Sequence, residues 1–411
     1  MKILIVCQPL HNRGDESAHR ALVRMILKKM PESKVTVLFV DEDQDSVNQF
    51  MVNDARVIYV NIQHGHGFGL TAIPGLQKGL YWLWHFGTHN QIRRIYKEND
   101  YVICAPGGIC MGGFQNWMHL YFLKMAKLTQ KPLLYFGRSF GPFPTETKDN
   151  KKFRKISLEM LNYFSFLSIR DSKTAALSDK LGFHNYVKTV DSAFMDSPKV
   201  EIPIEILTKI DNTPYIVFVP NLLVWHFNFK GRITKDTVLK FYADLIDIMF
   251  EKYPHHKMLM LPQTFNYELY NGSRENDDIH FMEELAELKK DNRIYVVPDT
   301  YSSDIQQTII SKCDFLCGAR YHSVVFSINQ AVPFVALSYE HKIAGLLDNL
   351  SMSDAMIDIS HGLDNELAIK NTKMLFKEKM YCAKKREDVR LKAKKIAESG
   401  FASMMHCMKL V

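Results

Sequence analysis

A pattern that runs through the first half of this chain and then starts again is the feature that most constrains its fold. Short apolar runs, rich in β-branched residues, alternate with longer amphipathic stretches. In the first half the runs are KILIVCQ (2–8), KVTVLFV (34–40), ARVIYVNI (55–62), YVICAP (101–106), PLLYFGRS (132–139) and FLSIRD (166–171). In the second they are YIVFVPN (215–221), KMLMLPQ (257–263), RIYVVPD (293–299), DFLCGAR (314–320) and PFVALS (333–338). A strand that is apolar at every position is buried on both faces, which marks a parallel sheet covered by helices. The stretches between the runs carry helix signals. In DESAHRALVRMILKKM (15–30), Asp and Glu open the first turn and Lys closes the last, as the helix dipole favours. The pattern predicts an α/β chain of two tandem doubly wound Rossmann-like domains. The expected boundaries are 1–195 for the first domain, a Pro-containing linker at 196–214, 215–363 for the second domain, and a basic helical tail at 364–411. A length of 411 residues suits two domains at about 150 residues each.

Composition narrows the class. With 46% hydrophobic and 24% charged residues the chain can bury a large core, which excludes a disordered protein. Lys and Arg number 52 against 45 Asp and Glu, a net charge of +7. That suits an acidic small molecule or an anionic membrane surface and is too weak for nucleic acid. Seven cysteines at irregular spacing form neither a disulfide framework nor a zinc signature, so reduced thiols and no metal are expected. The first apolar run is too short for a signal peptide, and no stretch approaches the ~18 apolar residues of a spanning helix. The expectation is a cytoplasmic protein. The aromatic stretch GLYWLWHF (79–86) and the basic tail make contact with the inner face of a membrane the sharper alternative to a partly buried helix and a solvated one.

Chemistry concentrates where strands end. In GARYHSVVFSINQAVPFVALSYEHKIAGLLDNL (318–350), Arg320 and His322 fall where a strand becomes a helix, and Tyr339 and Lys342 at the end of the next strand. Arginine offers a planar fork for phosphate or carboxylate, and histidine exchanges a proton near neutrality. In PLHNRGDES (9–17), Asn12, Asp15 and Glu16 lie between the first strand and its helix, where such folds bind ligands. The segment lacks the GxGxxG spacing of a dinucleotide site. Gly107 and Gly108 in APGGICMGG (105–113) permit close backbone approach. Arg138 in FGRSFGPF (136–143) and Arg170 in SIRDSK (168–173) end strands, and Asp191 in VDSAF (190–194) ends another. Asp171 reads as a functional acid at a strand end or, equally, as a residue that pairs with Arg170 or caps the helix. His64 with His66, and His255 with His256, read as loop histidines before they read as metal ligands.

Taken in order, NRGDES, PGG, GRSFGPF, IRDSKTAALSDKLG, DSAF and the 318–350 segment resemble the polysaccharide pyruvyl transferases. The resemblance runs from about residue 2 to 350, and 318–350 is its most specific part. It implies a GT-B-like arrangement with an interdomain cleft. It also implies transfer of the pyruvyl group of phosphoenolpyruvate to a sugar as a ketal, with no cofactor beyond that donor. The acceptor would be a saccharide, free, lipid-linked or nucleotide-linked; neither its identity nor the oligomeric state is legible. The family's Arg-x-His element corresponds to Arg320-Tyr321-His322, and the Arg of its I-R-D element to Arg170. His11, Arg138 and Ser192 stand where the family often has Gly, Gln and Pro. The expected catalytic set is His322 as general acid/base, Arg320 on the anion and Asp15 on the acceptor. Arg170, Arg138, Lys342, Tyr339, Asn12, Glu16, Gly107 and Gly108 are expected to bind substrate. Asn12 and Asp15 are expected to face Arg320 and His322 across the cleft. The alternatives are a nucleotide-sugar glycosyltransferase of the same architecture, which needs an acid that the sequence does not reveal beside Arg320, and a silent sugar- or anion-binding protein.

Overall fold

The computed structural model describes residues 1–64, 67–108, 111–112, 115–226, 228–265, 277–363 and 383–410. The chain divides into two compact units. The first comprises Met1–Leu10, Ala18–Asp196 and Lys395–Val411, and the second His11–Ser17 and Ser197–Lys394.

The first unit is built on seven strands: Lys2–Val6 (β1), Lys34–Val40 (β2), Val57–Ile62 (β3), Tyr101–Cys104 (β4), Leu133–Tyr135 (β5), Phe166–Ile169 (β6) and Val187–Lys188 (β7). Their order is β3-β2-β1-β4-β5-β6-β7, with every pairing parallel. The second unit has Tyr215–Val219 (β8), Lys257–Met260 (β9), Ile294–Val296 (β10), Phe315–Gly318 (β11), Phe334–Ser338 (β12) and Met356–Asp358 (β13). Their order is β10-β9-β8-β11-β12-β13, again all parallel. Each sheet begins at a central strand, winds to one edge, and returns to wind to the other. The direction reverses between β1 and β4, and between β8 and β11, which is where such sheets bind ligands at their carboxyl ends. The central strands explain the continuous apolar runs: Ile3, Leu4, Ile5 and Val6 are wholly buried, as are Ile216 through Val219. The two tandem Rossmann-like units are the expected fold class.

The stretch expected to link the domains carries a short helix, Ile204–Ile210, ended by Asp211 in the left-handed region. GLYWLWHF forms a 3₁₀ turn over Tyr81–His85. Its Trp84 is buried edge-on to Tyr121 at 4.6 Å, while Trp82 and Phe86 are 63% and 64% exposed. Of the tail, 364–382 lie outside the described residues. The rest is the helix Ala383–Leu410, whose final part belongs to the first unit. There Phe401 meets Phe136 edge-on, and the Tyr101 hydroxyl donates to the Met408 carbonyl. Among the described residues no helix is long and apolar enough to cross a membrane.

Candidate functional site

In the second unit the carboxyl ends of β8, β9, β11 and β12 gather most of the expected residues. Backbone geometry dictates the start of the helix Tyr321–Asn329. Gly318 ends β11 because a Cβ there would come within 2.2 Å of Ser323 Oγ, whose hydroxyl donates to the Arg320 carbonyl at 2.6 Å. His322 follows in the first turn, largely buried, edge-on to Tyr321 at 5.0 Å.

Segment His11–Ser17 clusters with this same unit. Its backbone pairs with the chain beyond β9: Arg13 N donates to the Gln263 carbonyl at 2.8 Å, and Phe265 N to the His11 carbonyl at 3.0 Å. The Asn12 side chain accepts from Gly14 N at 2.8 Å and Asp15 N at 3.2 Å, so it caps the helix Arg13–Lys29. A Cβ on Gly14 would lie 1.8 Å from His322 Nδ1. Asn12 and Asp15 therefore do not oppose His322 across a cleft, as the sequence predicts; Gly14 lies directly against the imidazole. Asp15 is half-buried.

Two expected roles change. Glu16 is wholly buried, paired with Arg13 at 2.7 Å and accepting from the amide and hydroxyl of Ser303 at 3.1 Å. It anchors the loop rather than an acceptor. Arg320 forks onto Asp278, with Nε to Oδ2 at 3.1 Å and Nη2 to Oδ1. An acid does stand beside Arg320, contrary to the sequence expectation, and it lies 42 residues upstream. Asp278 Oδ2 also accepts from the amides of Gln263 and Thr264 at 2.9 Å, which fixes it at the β9 end. Burial disfavours the Arg320 charge, but the Asp278 carboxylate outweighs it and raises the pKa. Around β12, Tyr339 is buried edge-on to His226 at 5.0 Å, and burial pushes its phenol up. Lys342 pairs with Glu340 at 3.0 Å. Burial would raise the Glu340 carboxyl, but Lys342 and His226 overcome it and hold it at about 2. Asp278, Glu340 and His226 are the polar members that sequence reasoning missed. So are two amides: Asn221 Nδ2 after β8 and Gln263 Nε2 after β9 are buried donors with no hydrogen-bond partner among the described residues.

The first unit uses its arginines differently. Arg138 is wholly buried; its Nε donates to the Gly108 carbonyl at 2.8 Å and its Nη1 to the carbonyls of Ala105 at 2.7 Å and Cys7 at 3.2 Å. It ties the glycine turn to the ends of β1 and β4. Arg170 is ion-paired with buried Asp191, and its Nε reaches Ser139 Oγ at 3.4 Å. Asp171 caps the helix Ser172–Lys180 through Thr174 N at 2.7 Å. Gly107 bridges to Arg138, and among the described residues nothing lies within 4 Å of where a Gly108 Cβ would stand. In both cases the guanidinium serves buried groups, main-chain carbonyls for Arg138 and the Asp191 carboxylate for Arg170. His64 pairs with Asp41 at 2.8 Å and His256 with Asp314 at 2.8 Å; His66 lies outside the described residues.

The sequence profile described as polysaccharide pyruvyl transferase matches residues 12–341, from the Asn12 cap to the start of the last site helix. The chain belongs to the polysaccharide pyruvyl transferase family. A curated relative, the amylovoran biosynthesis protein AmsJ of Erwinia amylovora, is 23% identical over 283 residues, 67% of this chain. The chain spans 65% of the length of that relative. Among solved structures, HepE of Anabaena in complex with UDP is similar with a TM-score of 0.59 at 13% identity, covering 100% of both chains. The UDP-GlcNAc 2-epimerase of Neisseria meningitidis gives 0.57 at 12% identity, over 99% of this chain and 100% of that one. At such identities the likeness concerns the fold, and it extends the GT-B-like class over the whole chain.

Proposed function

We propose that this family member transfers the pyruvyl group of phosphoenolpyruvate to a saccharide, through the strand ends of the second unit. The supporting observation is the group of Arg320, His322 and Lys342 beside two buried amide donors that have no partner among the described residues. Orphaned buried donors are rare and are commonly kept for a ligand. A donor with a phosphate and a carboxylate requires cations and fixed N–H groups, and this rim has both. In the proposed reaction His322 delivers a proton to the methylene carbon, and the carbon bearing the phosphate becomes oxocarbenium-like. A sugar hydroxyl adds to it, phosphate leaves, and a second hydroxyl closes the ketal. Asp15 orients or deprotonates the acceptor. Asp278 and Glu340 set the positions of Arg320 and Lys342 and would exchange partners when the donor arrives. Incubating the protein with phosphoenolpyruvate and a panel of sugars tests this reading. Acceptor-dependent phosphate release, with a product heavier by one ketal, is the expected result.

A second reading, nucleotide-sugar transfer, is favoured by Asp278 at the β9 end, an acid of the kind that holds a ribose. HepE, bound to UDP, shares the fold. Saturation-transfer NMR with UDP and with phosphoenolpyruvate separates the two: UDP binding with a silent phosphoenolpyruvate supports the second. Should the acceptor be lipid-linked, exposed Leu70, Trp82 and Phe86 provide an apolar contact for a bilayer. Trp82→Ser with Phe86→Ser should then reduce sedimentation with anionic vesicles.

A further inference from the structure

Three donors that no motif links meet in the first unit. Cys7 directly follows β1 and Cys104 is the last residue of β4. These strands are neighbours in the sheet, with Val6 opposite Cys104, so both cysteines reach the same carboxyl edge. His119 comes from the helix Trp117–Leu128, whose first turn is fixed by Asn116 accepting from His119 N at 2.9 Å. The two sulfurs and a His119 ring nitrogen all lie within 4.8 Å of one another, and Cys104 Sγ is 3.9 Å from His119 Nε2.

We propose that Cys7, Cys104 and His119 form a binding site for a thiophilic divalent metal ion of the zinc class. Bond lengths of about 2.3 Å to sulfur and 2.0–2.1 Å to nitrogen place tetrahedral donors about 3.5–3.8 Å apart, so the observed set is a small contraction from that geometry. Two thiolates and an imidazole are the donors that favour zinc over magnesium or calcium. Cys104 and His119 are buried and Cys7 half-buried, which leaves an approach on the Cys7 side. Arg138 Nη1 reaches Cys104 Sγ at 3.8 Å. Beside a metal it would act as an N–H donor to a coordinated thiolate, the outer support such ligands usually have. Three donors among the described residues leave a fourth position for water or a ligand, as in sites that keep one open.

Cobalt(II) reports this directly. The reduced full-length chain, stripped with chelator and desalted, is titrated with Co²⁺ and then with Zn²⁺. The expected result is a thiolate-to-cobalt charge-transfer band with intense tetrahedral d–d bands, saturating at one equivalent and bleached by zinc. Cys7→Ser and His119→Gln should each weaken binding at least about tenfold, while Cys407→Ser leaves it unchanged. Zinc should raise the melting temperature of the parent chain and not that of Cys7→Ser, whose half-buried position makes it the variant best able to fold. A folded parent chain with no thiolate band would overturn the proposal. So would bands of unchanged affinity in both Cys7→Ser and His119→Gln.

Discussion

The two units place arginines at equivalent points, just past the ends of parallel strands, and use them in opposite ways. In the first, Arg138 and Arg170 are 0% and 2% exposed, and their fork geometry serves main-chain carbonyls and Asp191. In the second, the Arg320 side chain keeps 12% exposure on a rim beside His322, with Asp278 as counter-charge. An arginine at a strand end is therefore not in itself a sign of anion binding. The discriminating feature is what else has been buried with it. Carbonyls surround Arg138 and make it a brace, whereas near Arg320 two buried amides have no partner among the described residues.

The largest expected effect belongs to the braces. Arg170→Met leaves the buried Asp191 carboxylate without its guanidinium counter-charge, which should cost about 3–5 kcal/mol. Arg138→Met should cost a similar amount by stranding its carbonyls, and both losses are read as a fall in the denaturant midpoint. If either variant instead melts like the parent and fails only in donor binding, the contrast between the units collapses. On the rim the damage should fall on chemistry. His322→Gln should lower turnover by roughly a hundredfold with donor affinity retained, measured by separate binding and rate assays on protein of unchanged melting temperature. Arg320→Lys keeps the charge but loses the fork, and donor affinity should weaken by roughly 1–3 kcal/mol, seen by calorimetry.

The effect that is smallest at neutral pH is acid sensitivity, and it sharpens the contrast. In the first unit burial lowers His19 to about 3 and His89 to about 4. Below pH 6.5 the unfolded chain takes up protons that these folded imidazoles refuse, so stability falls as pH drops from there. In the second unit Glu340, held at about 2, contributes stability that is whole above its ordinary value of 4.5 and is lost as pH falls toward 2. Hydrogen exchange along a pH series should show the first unit loosening before the second, and His19→Asn should shrink the gap.

Most strands are legible in the sequence because burial on both faces writes them as unbroken apolar runs. Met356–Asp358 escapes because three edge residues make no pattern, and of Val187–Lys188 only the end, before Asp191, is read. Arg320 and His322 stand out because a strand end and a helix start adjoin in sequence. Asp278 does not, because the β9 end meets the β11 end only through the sheet order. The same holds for Cys7 and Cys104, far apart in sequence and adjacent in space. GLYWLWHF reads as a helix from its apolar content, yet too few residues follow Gly79 before the next helix starts at Gly87 for more than a 3₁₀ turn.

The helix Ala383–Leu410 has a consequence for the order in which the molecule can be made. All seven strands of the first unit leave the ribosome by Lys188. Phe401, which covers Phe136, and the Met408 carbonyl, which takes the Tyr101 hydroxyl, are synthesised only after the whole second unit. The first unit to be translated is thus the last to be finished, and its nascent sheet waits with apolar surface uncovered while some two hundred further residues are added. A stop codon just before Lys395 would be a lesion of the amino-terminal sheet, and its misfolding would begin at Phe136 rather than near the cut.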